Sequence, residues 1–309
     1  MNVIELIEAG ARQLSAAGVQ FGHGTDNAFD EAAWLVLWQL GLPLDSALEG
    51  LASVAQQIPT PAQQAQVAAL LSARVESRKP AAYLTHEAWL QGVAFYVDER
   101  VIVPRSLIAE LLVEGALDPW LRADTRKVLD LCTGNASLAV LAAMAYPDVS
   151  VDAADISADA LPVARINIDR HHLQQRIALL ESDGLSGVQG AYDLVLCNPP
   201  YVNAASMAAL PPEYRAEPAL ALDGNRLGGS DGMDFVRQLL IDAPPHMNAQ
   251  AVLVLEIGNE RDNFEAAFGP LEAVWLETSA GEDQVLLLTR DAIMAGQPNF
   301  NPITPLDNS

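Results

Sequence analysis

Asn198-Pro199-Pro200-Tyr201 is the stretch of this sequence best suited to chemistry, and it follows the apolar run Tyr192-Asp193-Leu194-Val195-Leu196-Cys197. A run that ends in Asn and two prolines can neither continue as a strand nor open a helix. Proline lacks the N–H donor, fixes φ and drives the residue before it out of the helical region. The expected result is a rigid loop at the carboxyl end of a strand. It presents one carboxamide, carbonyl oxygens without a competing proline N–H, and an aromatic ring. Such a set grips an amino group without donating a proton to it. Cys197, one residue earlier, has no basic neighbour in sequence and reads as strand core rather than nucleophile.

A second constellation lies upstream. Leu129-Asp130-Leu131-Cys132-Thr133-Gly134-Asn135-Ala136 follows a strand pattern and opens a helix, the place where doubly wound folds bind a nucleoside. With one glycine it is no dinucleotide fingerprint, and the missing Gly-Lys-Ser/Thr excludes a P-loop. Asp155 ends the next strand, where a carboxylate can accept both ribose hydroxyls of an adenosine cofactor, and Ser182-Asp183-Gly184 ends the third, beside the expected place of adenine. Singly, an Asp at a strand end is more often a turn or cap residue. In order at the ends of successive strands, with Asn198–Tyr201 ending the fourth, these residues form a specific signal.

The elements that must position them divide into a helical start and an alternating remainder. Residues 1–87 read as a small helical domain: Phe29, Ala33, Val36, Leu37 and Leu40 recur at helical spacing after Thr25-Asp26-Asn27. Thr60-Pro61 is an N-cap and first-turn pair ahead of the stripe Val67, Leu70, Leu71, Val75. Residues 88–104 read as a β-hairpin linker, Trp89–Val97 and Val101–Val103 with Asp98-Glu99-Arg100 as its turn. In residues 105–290 a helix over Arg105–Ala116 precedes strands Val128–Leu131, Val149–Ala154, Ile177–Glu181, Tyr192–Cys197 and Val252–Ile257. Helices Ala136–Ala145, Ala158–His172 and Gly232–Ile241 fall between them. Such alternation predicts a parallel sheet covered on both faces. Val274–Glu277 and Gln284–Thr289, joined by Ser279-Ala280-Gly281, predict an antiparallel edge. Residues 291–309, rich in Pro and Asn, predict a loose tail.

Composition narrows the function. The 309 residues suit about two domains. Seventeen basic and forty acidic side chains leave a net charge of −23, spread over both parts of the chain. Such a field repels phosphate backbones and favours basic partners, so no direct nucleic-acid binding is expected. Cys132 and Cys197 form no Cys-x-x-Cys pair, and the five histidines show no ligand spacing, so no metal or disulfide framework is implied. Met1–Leu6 lacks the basic region of a signal peptide and no apolar run reaches membrane-spanning length, which predicts a cytoplasmic protein.

Together these motifs resemble the class I S-adenosylmethionine-dependent methyltransferases, more narrowly the glutamine N5-methyltransferases that modify translation proteins. The resemblance runs from about Pro80 to Arg290. It implies an α/β fold with a Rossmann-like doubly wound sheet, an antiparallel edge strand and a helical N-terminal substrate-recognition domain. Phe95–Ser106 and Cys132 look like the branch acting on large-subunit ribosomal protein L-three, rather than the release-factor branch, which carries Pro-Arg-Pro-Glu-Thr-Glu and glycine there. Tyr214–Leu220 and Gly229–Gly232 match the family's loop after the catalytic tetrapeptide. The resemblance implies S-adenosylmethionine as cofactor, a basic ribosomal protein as partner, and Asn198, Pro199, Pro200 and Tyr201 as catalytic residues. The Asn198 side chain and Pro199 carbonyl would accept the two amide hydrogens, with Tyr201 walling the pocket. Asp130, Cys132, Thr133, Gly134, Asn135, Ala136, Asp155, Asp183 and Asn198 would hold the cofactor. Thr133-Gly134-Asn135-Ala136 departs from the family's Thr-Gly-Ser-Gly. A positive φ at 136 would set a methyl group toward the cofactor; a first-turn position would make alanine harmless. Two other readings share the tetrapeptide or the fold: a nucleic-acid amino-methyltransferase, which needs a basic surface, and a non-catalytic binding protein.

Overall fold

In the computed structural model, which describes residues 1–269, 271–297 and 300, α1 (Val3–Ala16), α2 (Ala28–Leu40), α3 (Pro61–Ser77) and the short α4 (Ala81–Thr85) open the chain. Their starts follow from local chemistry. Asn2 and Glu5 form a reciprocal capping box on α1, as do Thr60 and Gln63 on α3, where Pro61 occupies the first turn. The Asn27 side chain accepts from the N–H groups of Phe29 and Asp30. The apolar stripes of α1, α2 and α3 meet in a core of Ile7, Leu14, Leu35, Val36, Val67 and Leu71.

A two-stranded hairpin, β1 (Ala88–Leu90) and β2 (Val93–Phe95), links this bundle to α5 (Ile108–Val113) and the main sheet. The sheet is built from β3 (Lys127–Leu131), β4 (Ser150–Asp155), β5 (Ile177–Glu181), β6 (Tyr192–Cys197), β7 (Met247–Glu256), β8 (Val274–Thr278) and β9 (Gly281–Thr289). Its order is β5-β4-β3-β6-β7-β9-β8, parallel from β5 to β7, with β9 antiparallel to both β7 and β8. α6 (Ser137–Ala145) and α7 (Ala160–Arg170) pack on one face; α11 (Asp234–Asp242), α12 (Arg261–Phe268) and α13 (Arg290–Gly296) pack on the other. Between β6 and α11 the chain forms three short helices, α8 (Ala204–Ala209), α9 (Pro212–Arg215) and α10 (Ala219–Leu222).

Alternation along the central strands assigns each side chain to a face. Val128, Leu194, Leu196, Val252 and Val254 join the core under α5, α6 and α7, while Leu129, Leu131, Val195, Cys197, Leu253 and Leu255 join the core under α11 and α12. Strands buried on both faces read as continuous apolar runs, as parallel strands do. The expected doubly wound α/β sheet with an antiparallel edge is the observed one.

Three expectations are corrected. The hairpin turns at Gln91-Gly92, where both residues are left-handed (φ 50° and 74°), and not at Asp98-Glu99-Arg100. Val101–Val103 is therefore no strand. Asp98 instead accepts from the Arg100 main chain and pairs with its guanidinium, turning the segment toward the sheet's carboxyl edge. The chain beyond Thr289 is helical through Gly296, because Thr289 caps α13 and Ile293 is buried against the sheet. Residues 298, 299 and 301–309 of the expected tail lie outside the described residues.

Candidate active site at the carboxyl ends of the strands

Parallel strands with helices on both faces leave a crevice where the strand order reverses, here beside β3 at the carboxyl edge. Two chambers open there. The first, about 680 Å³, is lined by Cys132 and Gly134 after β3, Asp155 and Ser157 after β4, Asp183 after β5 and Asn198 after β6. Arg100, Ile102, Leu220, Arg226 and Phe235 close its other side. The second, about 1020 Å³, is lined by Asn198, Pro199, Tyr201, Tyr214, Arg105 and Glu256 among others. Asn198, Ile102 and Ala221 face both chambers. The Asn198 carboxamide makes no hydrogen bond to any other described residue, so it stands available at the junction.

The turn after β3 is tightly built. Cys132, Gly134 and Ala136 all have positive φ (61°, 55° and 66°). An ideal Cβ on Gly134 would meet nothing within 4 Å and would project into the chamber that this residue lines. Gly134 donates its N–H to Asp155 at 2.8 Å, and Ser157 donates to the other carboxylate oxygen at 2.9 Å. Burial raises the Asp155 carboxyl against these two N–H groups.

Asp130 lies beneath this turn. Thr133 donates its hydroxyl and Ala139 its N–H to the carboxylate, so Asp130 ties the start of α6 to β3. Burial pushes this carboxyl up to about 7 against those two bonds. Asp130, Thr133, Asn135 and Ala136 are buried and do not line the chamber, whereas Cys132, Gly134, Asp155, Asp183 and Asn198 do. Ala136 does occupy a left-handed position, the alternative in which its methyl was expected to crowd the cofactor. The methyl points into the core with Leu138 and Val140 instead. Asn135 is held from behind: Asn167, fully buried on α7, donates to the carbonyls of Asn135 and Tyr96 and accepts the Tyr96 N–H at 2.7 Å.

The tetrapeptide is set by glycines and carboxylates distant in sequence. An ideal Cβ on Gly258 would stand 2.6 Å from the Tyr201 ring, and one on Gly232 would stand 2.1 Å from the Tyr201 carbonyl oxygen. Only hydrogen at these positions, both at positive φ, lets the loop lie so close. The Tyr201 hydroxyl is pushed up by burial and by the neighbouring Glu256 charge, so the phenol stays neutral. Glu256 accepts from the Ser106 hydroxyl at 2.5 Å and the Leu107 N–H at 2.9 Å. Glu217 accepts the Val103 N–H at 2.9 Å and both terminal guanidinium nitrogens of Arg105 at 2.6 and 2.8 Å. Burial alone would raise Glu217; the Arg105 charge, its hydrogen bonds and the adjoining His23 more than offset it and hold the carboxyl at about 2.

Residues 109–210 match the methyltransferase small domain family. The whole chain is also similar to curated proteins. The ribosomal protein uL3 glutamine methyltransferase of Bordetella pertussis is 52% identical over 292 residues, covering 94% of this chain and 95% of the relative. That of Burkholderia pseudomallei is 50% identical over 93% of this chain and 94% of the relative. That of Neisseria gonorrhoeae is 47% identical over 95% and 96%. The chain belongs to the ribosomal protein uL3 glutamine methyltransferase family.

For a member of this methyltransferase family, the structure brings Asn198, Pro199 and Tyr201 to one chamber and Asp155, Asp183 and Gly134 to the other. Pro200 faces the first chamber. Asp183 is 70% exposed and sits 4.0 Å from Arg226 at the rim. Arg100, Phe235, Asn167, Glu217, Glu256 and Gly258 were not singled out from sequence as site residues. Glu217 and Glu256 act through partners more than a hundred positions away. Among the described residues no cluster of His, Cys, Asp and Glu is arranged to hold a metal ion, and no helix is long and apolar enough to cross a membrane.

Proposed function

We propose that the chain transfers a methyl group from S-adenosylmethionine to the side-chain amide nitrogen (N5) of a glutamine in ribosomal protein uL3. The observation that carries this reading is Asn198, whose unengaged carboxamide faces both chambers at once. The first chamber suits the cofactor: Gly134 leaves open space beside it, and Asp155 offers a fixed carboxylate. Asp155 would accept the ribose hydroxyls, Gly134 and Cys132 would border the methionine portion, and Asp183 and Phe235 the adenine. When bound, the sulfonium supplies an electrophilic methyl group.

The residues of the chain deal with the nucleophile, which is poor because an amide nitrogen shares its lone pair with its carbonyl. The Asn198 side-chain oxygen and the Pro199 main-chain oxygen each accept one hydrogen of the glutamine amide. Both prolines lack an N–H that could compete. The two acceptors orient the nitrogen toward the first chamber and stabilise positive charge as it develops there. The nitrogen would gain the methyl group as the methyl–sulfur bond breaks, the sulfur keeping that electron pair as a neutral thioether, and one amide proton would pass to solvent. Tyr201, neutral and seated on Gly258, limits the room in which the amide can turn.

A protein acceptor is supported by charge. Arg100, Arg105 and Arg226, which face the chambers, are each set against a carboxylate: Asp98, Glu217 and Asp183. Arg100 and Arg105 are engaged by their carboxylates, Arg226 stands at the rim 4.0 Å from the exposed Asp183, and the net charge of −23 suits a basic protein. A ribosomal acceptor also supports a cytoplasmic location. The test incubates the enzyme and radiolabelled S-adenosylmethionine separately with uL3, release factor and protein-free ribosomal RNA. Label is expected on a glutamine of uL3; label confined to RNA would overturn the reading.

A further inference from the structure

Methylation of an amide nitrogen replaces one of its two hydrogens, so a proton must leave the acceptor chamber in every turnover. The groups that would grip the amide there, the Asn198 side-chain oxygen and the Pro199 carbonyl, are acceptors too weakly basic to hold that proton at neutral pH. The titratable side chains in the lining are Arg105, Tyr201, Tyr214 and Glu256. Arg105 is already protonated and paired with Glu217, and burial keeps the Tyr201 phenol neutral. Glu256 is the one carboxylate among the described residues that line the chamber, and no histidine, lysine or cysteine joins it there.

The sheet sets Glu256 beside the tetrapeptide. Cys197 of β6 and Leu255 of β7 are register partners in a parallel pair, and both point into the core under α11 and α12. The next residues are Asn198 and Glu256, so the two leave the sheet at the same level, their backbones one strand spacing apart, about 4.8 Å. The carboxylate is held through one oxygen. Oε2 accepts from the Ser106 hydroxyl at 2.5 Å, the Leu107 N–H at 2.9 Å and the Ile108 N–H at 3.5 Å. Oε1 has no hydrogen-bond partner among the described residues, and although Glu256 is only 4% exposed this oxygen is not sealed from solvent. A carboxylate fixed in this way can take a proton on the other oxygen without losing a bond. Burial pushes the carboxyl up to about 7, against those hydrogen bonds and the Arg105 charge, near the pH where a general base works best. Arg105 and Tyr201 are the titratable groups that face it; Glu217 and Glu260 also act on Tyr201. β9 brings the uncharged Val285, its register partner, and Gln284.

We propose that Glu256 is the proton acceptor of the methyl transfer, a catalytic base that meets the glutamine amide through Oε1. The nitrogen lone pair forms the bond to the methyl group as the methyl–sulfur bond breaks, and the electron pair of that bond stays on sulfur. The nitrogen turns tetrahedral and one N–H swings away from its carbonyl acceptor. The electron pair of this N–H bond remains on nitrogen and restores amide resonance, while the proton passes to Oε1. Glu256 releases it to solvent once the product has left. The inference rests on the N5-methylation reading above and adds the route by which the proton leaves. Ser106, Leu107 and Ile108 are then positioning residues, since they act on the reaction through the carboxylate they hold.

The test measures single-turnover methyl transfer to uL3 from pH 5.5 to pH 8.5 for wild type, Glu256→Gln and Glu256→Asp, with calorimetric binding of S-adenosylmethionine and of uL3. The wild-type rate constant should rise about thirtyfold over that range, with its midpoint near 7, as the carboxylate form becomes populated. Glu256→Gln keeps an oxygen for Ser106 and Leu107 but takes no proton. Its rate at pH 8.5 should fall about 10²-fold and lose its pH dependence, with both affinities within about threefold of wild type. Glu256→Asp, which still titrates, should keep a rising pH profile at a reduced rate. A merely supporting role would lower the rate of the Gln variant equally at every pH and leave its profile parallel to that of wild type. That result would overturn the proposal, and so would a Gln variant as fast as wild type. Wild type that transfers no methyl group to uL3 at any pH would remove the reaction itself and the proposal with it; an active wild type beside an unaltered Gln variant removes the role of Glu256 alone.

Discussion

Glu256 offers a pH-dependent test of how the acceptor chamber is supported. Its carboxyl is pushed by burial from an ordinary 4.5 to about 7, although Ser106, Ile108 and Leu107 donate hydrogen bonds that lower it. A carboxyl raised on folding binds its proton more tightly in the native state. It therefore contributes stability that is complete below about pH 4.5 and is lost as pH rises through about 7. That interval corresponds to about 3 kcal/mol at 1.36 kcal/mol per pH unit, most of which disappears between pH 5 and pH 8. Glu256→Gln keeps an oxygen to accept from Ser106 and Leu107 and cannot ionise. At roughly 2 °C per kcal/mol for a chain of this size, the variant's Tm relative to wild type should rise by about 5 °C from pH 5 to pH 8. Asp130, also pushed up to about 7, is present in both proteins and cancels in the difference. Scanning calorimetry at pH 5, 6, 7 and 8 reads the effect. A Tm difference that does not change with pH would refute burial as the cause of the shift.

Three further outcomes are expected. Asn198→Ala should lower kcat by about 10²–10³-fold, the usual loss of a transition-state hydrogen-bonding group, while equilibrium dialysis shows cofactor affinity within about threefold. Gly258→Ala places a methyl where the Tyr201 ring lies, 2.6 Å from the nearest ring atom, and should cost on the order of 10²-fold in kcat/KM by displacing that ring. Normal steady-state kinetics would show that the close packing of Tyr201 is unimportant. Glu217→Gln leaves Arg105 without its charged partner and should cost about 3 kcal/mol in urea unfolding.

How much of this was legible in sequence depended on distance along the chain. The tetrapeptide and the Asp130–Ala136 turn were readable because strand ends, prolines and glycine act on their immediate neighbours. The boundaries of β5 and β6 were read as observed, Ile177–Glu181 and Tyr192–Cys197, since each is a short, largely apolar run followed by a polar or proline-rich loop. The hairpin was misread because Val101-Ile102-Val103 has strand composition but is turned away by Asp98 and held by Glu217 from beyond the tetrapeptide. No local signal marks that bond. The helix after Thr289 was missed for a related reason: its apolar face is short, and its stability comes from packing on the sheet.

The same division runs through the site. Sequence alone determined the chemical inventory: a carboxamide and a proline carbonyl after one strand, carboxylates after two others, and a large excess of acidic side chains. Periodicity placed these groups on one edge of a parallel sheet, because strand alternation and helix spacing are local properties. Only the tertiary structure decided which groups face the chambers. It put Asp155 and Gly134 in the lining and Asp130 beneath it, turned the Ala136 methyl into the core, and set Glu217 and Glu256 behind the acceptor loop. Those outcomes depend on burial in the assembled fold and, for Glu217 and Glu256, on hydrogen bonds between residues more than a hundred positions apart, which no short stretch of sequence contains.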